Sequence, residues 1–119
     1  MQDYRQLKVW QQAHQLTLAI YRATGEFPAD EKYGLTSQIR RAAASIPANI
    51  AEGSARGTDA DFGRFLFIAT GSAAELDYHL LLAHDLNILQ PHQYQQLANE
   101  LAVIRRMLNV FIQKLKANG

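Results

Sequence analysis

Between Tyr94 and Leu115 the apolar residues Tyr94, Leu97, Leu101, Ile104, Leu108, Phe111 and Leu115 alternate spacings of three and four without a miss. An α-helix, with about 3.6 residues per turn, gathers such positions on one stripe, whereas a strand scatters them over both faces. The same rhythm runs through Phe62, Leu66, Ala69, Ala73, Leu76, Leu80 and Ala83. It recurs in Val9, Ala13, Leu16, Ile20 and Ala23, and in Leu35, Ile39, Ala42, Ala43, Ile46 and Ile50. Four amphipathic helices with short connections and no strand candidate predict an all-α fold. The expected architecture is one domain over residues 1–119, an antiparallel up-and-down four-helix bundle.

Local chemistry sets the boundaries. The first helix starts near Asp3 or Gln6 and stops at Thr24, because Gly25 and the Phe27-Pro28 pair disfavour its continuation. Asp30 to Gly34 reads as a connector with one short turn. Thr58 with Asp61 three residues on has the form of a capping box opening the third helix. Asn87 to Gln90 reads as a turn, with Pro91 as the first residue of the last helix.

The second helix carries the most information. Beside its apolar arc, Gln38, Arg41, Ser45, Asn49, Glu52 and Arg56 form a polar stripe, and Ala44, Ala48, Ala51 and Ala55 make a third face. Pro47 sits inside it, removing one amide donor at a cost of about 3 kcal/mol. The apolar spacing stays in phase across Pro47, which argues for one helix rather than two. A kink around a curved partner is the plainer way to accommodate the proline. A neighbouring side chain bonded to the freed Ala43 carbonyl is the sharper one.

The third helix is apolar on two sides. Phe67, Gly71, Ala74, Tyr78, Leu81 and Leu82 lie opposite its core stripe, so they are either sandwiched within the chain or covered by another subunit. Large exposed apolar patches mark interfaces, and these residues are the predicted contact with another copy of the chain. Gly71-Ser72 reads as a close-packing point between helices rather than as a nucleophile.

Little here suggests chemistry. Without cysteine there is no disulfide, thiolate catalysis or cysteine-held metal, and the composition fits a reducing compartment. No apolar run approaches a membrane span, and the first residues lack a signal-peptide core, so a cytoplasmic location is expected. Glu-x-x-His pairs, phosphate loops and nucleophile elbows are missing. His14, His79, His84 and His92 read as surface histidines. No cofactor, metal or small-molecule substrate is expected, and no enzymatic activity.

A net charge of +1 offers no general attraction to nucleic acid, but the charges are unevenly placed. Asp59, Asp61, Glu75, Asp77 and Asp85 on the third helix face only Arg64, while Arg105, Arg106, Lys114 and Lys116 on the fourth face Glu100. The stripe of Gln38, Arg41, Ser45, Asn49, Glu52 and Arg56 is either a structural ion-pair network or a phosphate-binding row; Glu52 in its middle favours the former. Arg40, Arg41, Arg56, Arg105 and Arg106 are the candidate contacts to a nucleic-acid backbone.

Several segments carry a family likeness. Val9-Trp10-Gln11, Phe27-Pro28, Tyr33-Gly34-Leu35, Gln38 to Ala42, Ser45 to Gly53, Phe62, Ile68-Ala69, Gly71-Ser72 and Glu75-Leu76 resemble the bacterial four-helix-bundle proteins encoded in intervening sequences of 23S ribosomal RNA genes. The likeness covers nearly the whole chain, and Ser-Ile-Pro-x-Asn-Ile-Ala-Glu-Gly is its most specific part. Ala73 and Asp77-Tyr78-His79 depart mildly from the pattern, and Asn87 stands where Gly is usual.

The resemblance implies a homopentameric ring of bundles, with no established enzymatic activity. It also implies kinship with the accessory proteins of diversity-generating retroelements, which associate with a reverse transcriptase and nucleic acid. Arg40, Arg41, Asn49 and Glu52 match its motif. The expected function is a homo-oligomeric scaffold that binds structured RNA or a nucleic-acid-handling protein. The alternative is a structural or protein-partner adaptor without nucleic-acid affinity.

Overall fold

The computed structural model describes residues 3–118. Four helices follow in order, α1 (Lys8–Thr24), α2 (Leu35–Ser54), α3 (Asp59–Asp85) and α4 (Pro91–Asn118), with 3-10 turns at Tyr4–Gln6 and Ala29–Glu31 and no strand among the described residues. They lie side by side in a rod of 45 × 22 × 20 Å. Both α1 and α3 pack on α2 and on α4, so α1 and α3 stand diagonally across the core.

Side-chain pairs set the register. Between α3 and α4, Phe62 meets Phe111 edge-on at 5.1 Å between ring centroids, Asp77 reaches Arg105 at 3.5 Å, and His84 stacks on Tyr94 at 4.6 Å. The first turns of α3 therefore lie against the last turns of α4. Between α2 and α3, Ser45 and Ser72 share a hydrogen bond of 2.8 Å, and Gly53 lies against Phe62 and Phe65.

The predicted stripes form the core. On α3 the buried set is Phe62, Leu66, Ala69, Ala73, Leu76, Leu80 and Ala83, residue for residue as the spacing predicts. On α4, Leu97, Leu101, Ile104 and Leu108 are buried, but near the end burial passes from Phe111 to Ile112. A straight helix drifts about 20° per heptad against a strict three-four repeat, which moves the core stripe one residue on. On α1, Thr17 and Thr24 join the core, and Ala23 is only half-buried.

The terminators act as their chemistry predicts. The Thr58 hydroxyl accepts the Asp61 N–H at 3.1 Å, and α4 opens at Pro91. At the end of α3, Asn87 takes φ 63°, the one left-handed non-glycine among the described residues. There the Ile88 N–H donates to the Ala83 carbonyl and the Asn87 N–H to the His84 carbonyl, both at 2.9 Å. This crossed pair of bonds is a Schellman motif, and its left-handed position is where glycine is most at ease.

Helix α2 runs unbroken through Pro47. The Ala43 carbonyl, deprived of the Pro47 amide, instead accepts the Thr17 hydroxyl of α1 at 3.2 Å. The sharper of the two accommodations thus holds.

Candidate functional site

The outward row of α3 is uncovered in the single chain. Phe67 is 67% exposed and Tyr78 58%, with Gly71, Ala74 and Leu81 also exposed along the same side and Ile68 beside them. Leu82 departs from this set: it is half-buried, packed against the core. A Cβ added at Gly71 would meet nothing within 4 Å, so Gly71 is not a close-packing point within the chain, although Ser72 beside it meets Ser45 of α2. Gly53 is such a point, since a Cβ there would come 2.8 Å from Phe65 Cβ and 2.9 Å from Phe62 Cδ1.

Three hollows on the bundle bear on these residues or on the charged ones near them. One, of about 590 Å³, lies between α3 and α4 and continues the apolar row through Gly63, Phe67, Ile68, Ile112 and Leu115. A second, of about 630 Å³, lies between the start of α1 and α4; Leu7, Val9, Val103, Met107, Val110 and Phe111 supply its apolar lining and Lys8, Arg106 and Lys114 its charge. No acid lines it. A third, of about 390 Å³, opens at the end of the bundle, where Ser54, Arg56, Thr58, Asp59, Lys114 and Asn118 converge. It is more polar than the α1–α4 hollow, which Lys114 also borders.

The polar stripe of α2 divides into three parts. Ser45 and Asn49 are half-buried in the seam with α3, where the Asn49 amide donates to the Ser45 carbonyl at 2.8 Å and to its Oγ at 3.0 Å. Glu52 and Arg56 make an exposed ion pair at 3.0 Å, with the Arg56 guanidinium over the Phe65 ring. Gln38 and Arg41 are exposed. Within one chain the stripe is a hydrogen-bonded seam with a surface ion pair at its end. Exposed pairs of this kind contribute about 0.2–1 kcal/mol.

The sequence matches the model of the 23S rRNA-intervening sequence protein family over residues 5–110. The chain belongs to that family. A crystal structure of a protein of unknown function from the S23 ribosomal protein family of Bacteroides thetaiotaomicron superposes with a TM-score of 0.80 at 28% identity. The match covers 87% of this chain and 97% of that one. No curated protein matches the sequence.

In this member of the intervening-sequence family the candidate arginines fall into distinct settings. Arg40 is tied to α1: its Nε donates to Thr24 Oγ1 at 2.8 Å, its Nη2 to the Tyr21 carbonyl at 3.2 Å, and its guanidinium lies over the Tyr21 ring. Arg105 pairs with Asp77 across α3 and α4, giving the oppositely charged helices one direct contact. Arg41 and Arg106 are exposed, and Arg106 belongs to the groove between α1 and α4. The structure thus separates Arg40 from Arg41, although they are adjacent in sequence.

Sequence reasoning missed the α1–α4 groove. Its signal is present in Val103 and Val110, seven apart on α4 and off the core repeat, but what they face depends on where α1 begins. Among the described residues no group of three or more His, Cys, Asp or Glu could hold a metal ion, and no helix is long and apolar enough to cross a membrane. His14 stacks on Trp10 and His84 on Tyr94, so these rings serve packing.

Proposed function

We propose that this chain is a non-enzymatic, cytoplasmic scaffold that works as a homo-oligomer and binds structured RNA, or a ribonucleoprotein, through basic surfaces of the assembly. Its unit is an antiparallel up-and-down bundle, and its assembly is a homopentameric ring. The uncovered α3 row of Phe67, Gly71, Ala74, Tyr78 and Leu81 carries the reading, because an apolar row of that length needs a partner to leave water. The antiparallel course is supported by the descending pairs Phe62–Phe111, Asp77–Arg105 and His84–Tyr94. The number five follows the resemblance to ring-forming bundles rather than any spacing.

For RNA, the support is the family's link to 23S rRNA, the S23 family of the structural neighbour, and the bundle end. In a cyclic ring every subunit presents the same end on the same rim. Arg56, Lys114 and, at the tip of α4, Lys116 then recur around that rim beside a polar hollow. Repeated weak phosphate contacts add up when they share one scaffold.

The test is a salt titration of binding to a structured ribosomal RNA fragment. Affinity should fall steeply between about 50 and 200 mM salt. Replacing Arg56 and Lys116 with Gln should weaken binding and flatten the slope by about one for each phosphate no longer neutralised, with particle mass unchanged. Absence of binding at the lowest salt would leave the protein-partner adaptor as the correct reading.

A further inference from the structure

We propose that the outward face of α3 in one copy seats in the groove between α1 and α4 of the next, as a head-to-tail contact. The inference rests on the oligomeric reading above and names the two surfaces that make the contact.

The surfaces match in character. The groove has an apolar lining in which Val110 is 55% exposed, and its charged residues are Lys8, Arg106 and Lys114. The α3 face presents Phe67, Tyr78 and Leu81; Arg64 borders Phe67 at its start, Glu75 and Asp85 flank the row toward its end, and Asp77 is held by Arg105 of the same chain. The groove follows α4 from Val103 to Lys114, about 16 Å at a rise of roughly 1.5 Å per residue, and the α3 row from Phe67 to Leu81 spans about 21 Å. An amphipathic helix laid into a groove of similar length is a recurrent recognition mode.

Charge decides against the alternatives. A two-fold contact of α3 with α3 centred on the row would bring Glu75 near its own copy, and groove against groove would bring Lys8, Arg106 and Lys114 of one copy against those of the other. Like charges brought together across an interface cost several kcal/mol. The unlike pairing brings apolar surface to apolar surface and sets Glu75 and Asp85 against Lys8, Arg106 and Lys114. Since α3 stands diagonally from α1, the two surfaces lie on different sides of the bundle. A contact between unlike surfaces is heterologous, and it forms a closed ring when successive rotations add to a full turn.

The experiment uses two full-length variants and sedimentation. Tyr78→Lys puts a cation on the α3 face against the basic groove, and Val110→Glu puts an anion in the groove against the acidic face. Each alone should sediment as a monomer with unchanged helix content by circular dichroism. Mixed in equal amounts they should associate into particles of at least twice the monomer mass, because each pair retains one intact face and one intact groove, and the altered face and altered groove carry opposite charges.

A mixture that stays monomeric while the native chain is multimeric overturns the pairing and leaves the ring reading in place. A homodimer of either variant also overturns it. A native chain that is monomeric at micromolar concentration overturns both. Phe67→Lys with Val103→Glu gives the same readout should either first variant lose helix content.

Discussion

The Thr17 hydroxyl of α1 donates to the Ala43 carbonyl of α2 at 3.2 Å, and that carbonyl is the one Pro47 leaves without an amide. The same hydroxyl reaches the Ala13 carbonyl at 2.8 Å, so one proton is shared between two acceptors. Pro47 is itself buried, and water cannot readily replace the missing donor. A buried carbonyl left unpaired costs about 1–3 kcal/mol. Thr17→Val should therefore lower stability by about that amount in urea unfolding. Restoring the amide with Pro47→Ala in the Thr17→Val background should return part of the loss. If the two changes were additive in a double-mutant cycle, the bond would not be the compensation for the proline.

Gly53 marks the closest approach of α2 to α3. A Cβ at that position would stand 2.8 Å from Phe65 Cβ, a distance that real contacts do not reach, and 3.3 Å from the Phe62 carbonyl oxygen. Gly53→Ala should force the helices apart and destabilise by about 1–3 kcal/mol, the usual cost of overpacking. Gly63 supplies the contrast, because a Cβ there meets nothing within 4 Å. Gly63→Ala should stabilise by about 0.5–1 kcal/mol through the loss of chain entropy in the unfolded state. Thermal unfolding of the two variants should move in opposite directions.

Arg40 and Arg41 should separate in the same way. Arg40 is half-buried and donates to Thr24 Oγ1 at 2.8 Å, while that hydroxyl donates to the Ile20 carbonyl at 2.7 Å. Hydrogen bonds from a charged donor contribute about 1.5–3 kcal/mol. Arg40→Gln should thus cost stability on that order and leave RNA affinity unchanged once the protein is folded. Arg41 is exposed, and Arg41→Gln should change stability by less than about 0.5 kcal/mol. An RNA affinity that fell on Arg40→Gln in a folded protein would overturn the structural role given to Arg40.

What could be read from the sequence is what local chemistry controls. The core stripe of α3, the Thr58 cap and the start of α4 at Pro91 need only spacing and backbone preference, and all three appear in the fold. The donor to Ala43 could be anticipated but not named, because Thr17 lies 26 residues away and only the pairing of α1 with α2 brings it there. Glycine near the end of a helix reads first as a terminator, and nothing close to Gly53 in sequence announces the two phenylalanines packed against it. Among the candidate site residues, the exposure of Phe67 and Tyr78 was legible in a helix apolar on both sides. The α1–α4 groove was not, because Lys8 and Arg106 become neighbours only after the chain has closed on itself. Arg40 and Arg41 differ by about 100° around α2, and periodicity alone does not say which of them meets Tyr21.

Asn87 takes a φ of 63°, the left-handed conformation that glycine adopts most easily. The Schellman motif that ends α3 needs a left-handed residue there to bring the Ile88 N–H within 2.9 Å of the Ala83 carbonyl. Asparagine tolerates this conformation better than other residues with a Cβ, yet glycine carries no penalty for it. Asn87→Gly should leave stability unchanged or raise it by up to about 1 kcal/mol, and Asn87→Ala should lower it by about 1–2 kcal/mol. A β-branched residue should do worse, so Asn87→Val is the sharpest variant of the series. The turn to α4 depends on this one residue, because Leu89 enters the core directly after it and is 2% exposed. Unfolding midpoints ordered Gly, Asn, Ala and Val from high to low would show that the backbone conformation at residue 87, rather than any side-chain contact, governs the stability of this turn. An alanine variant as stable as the native chain would mean that the turn can relax to negative φ without cost.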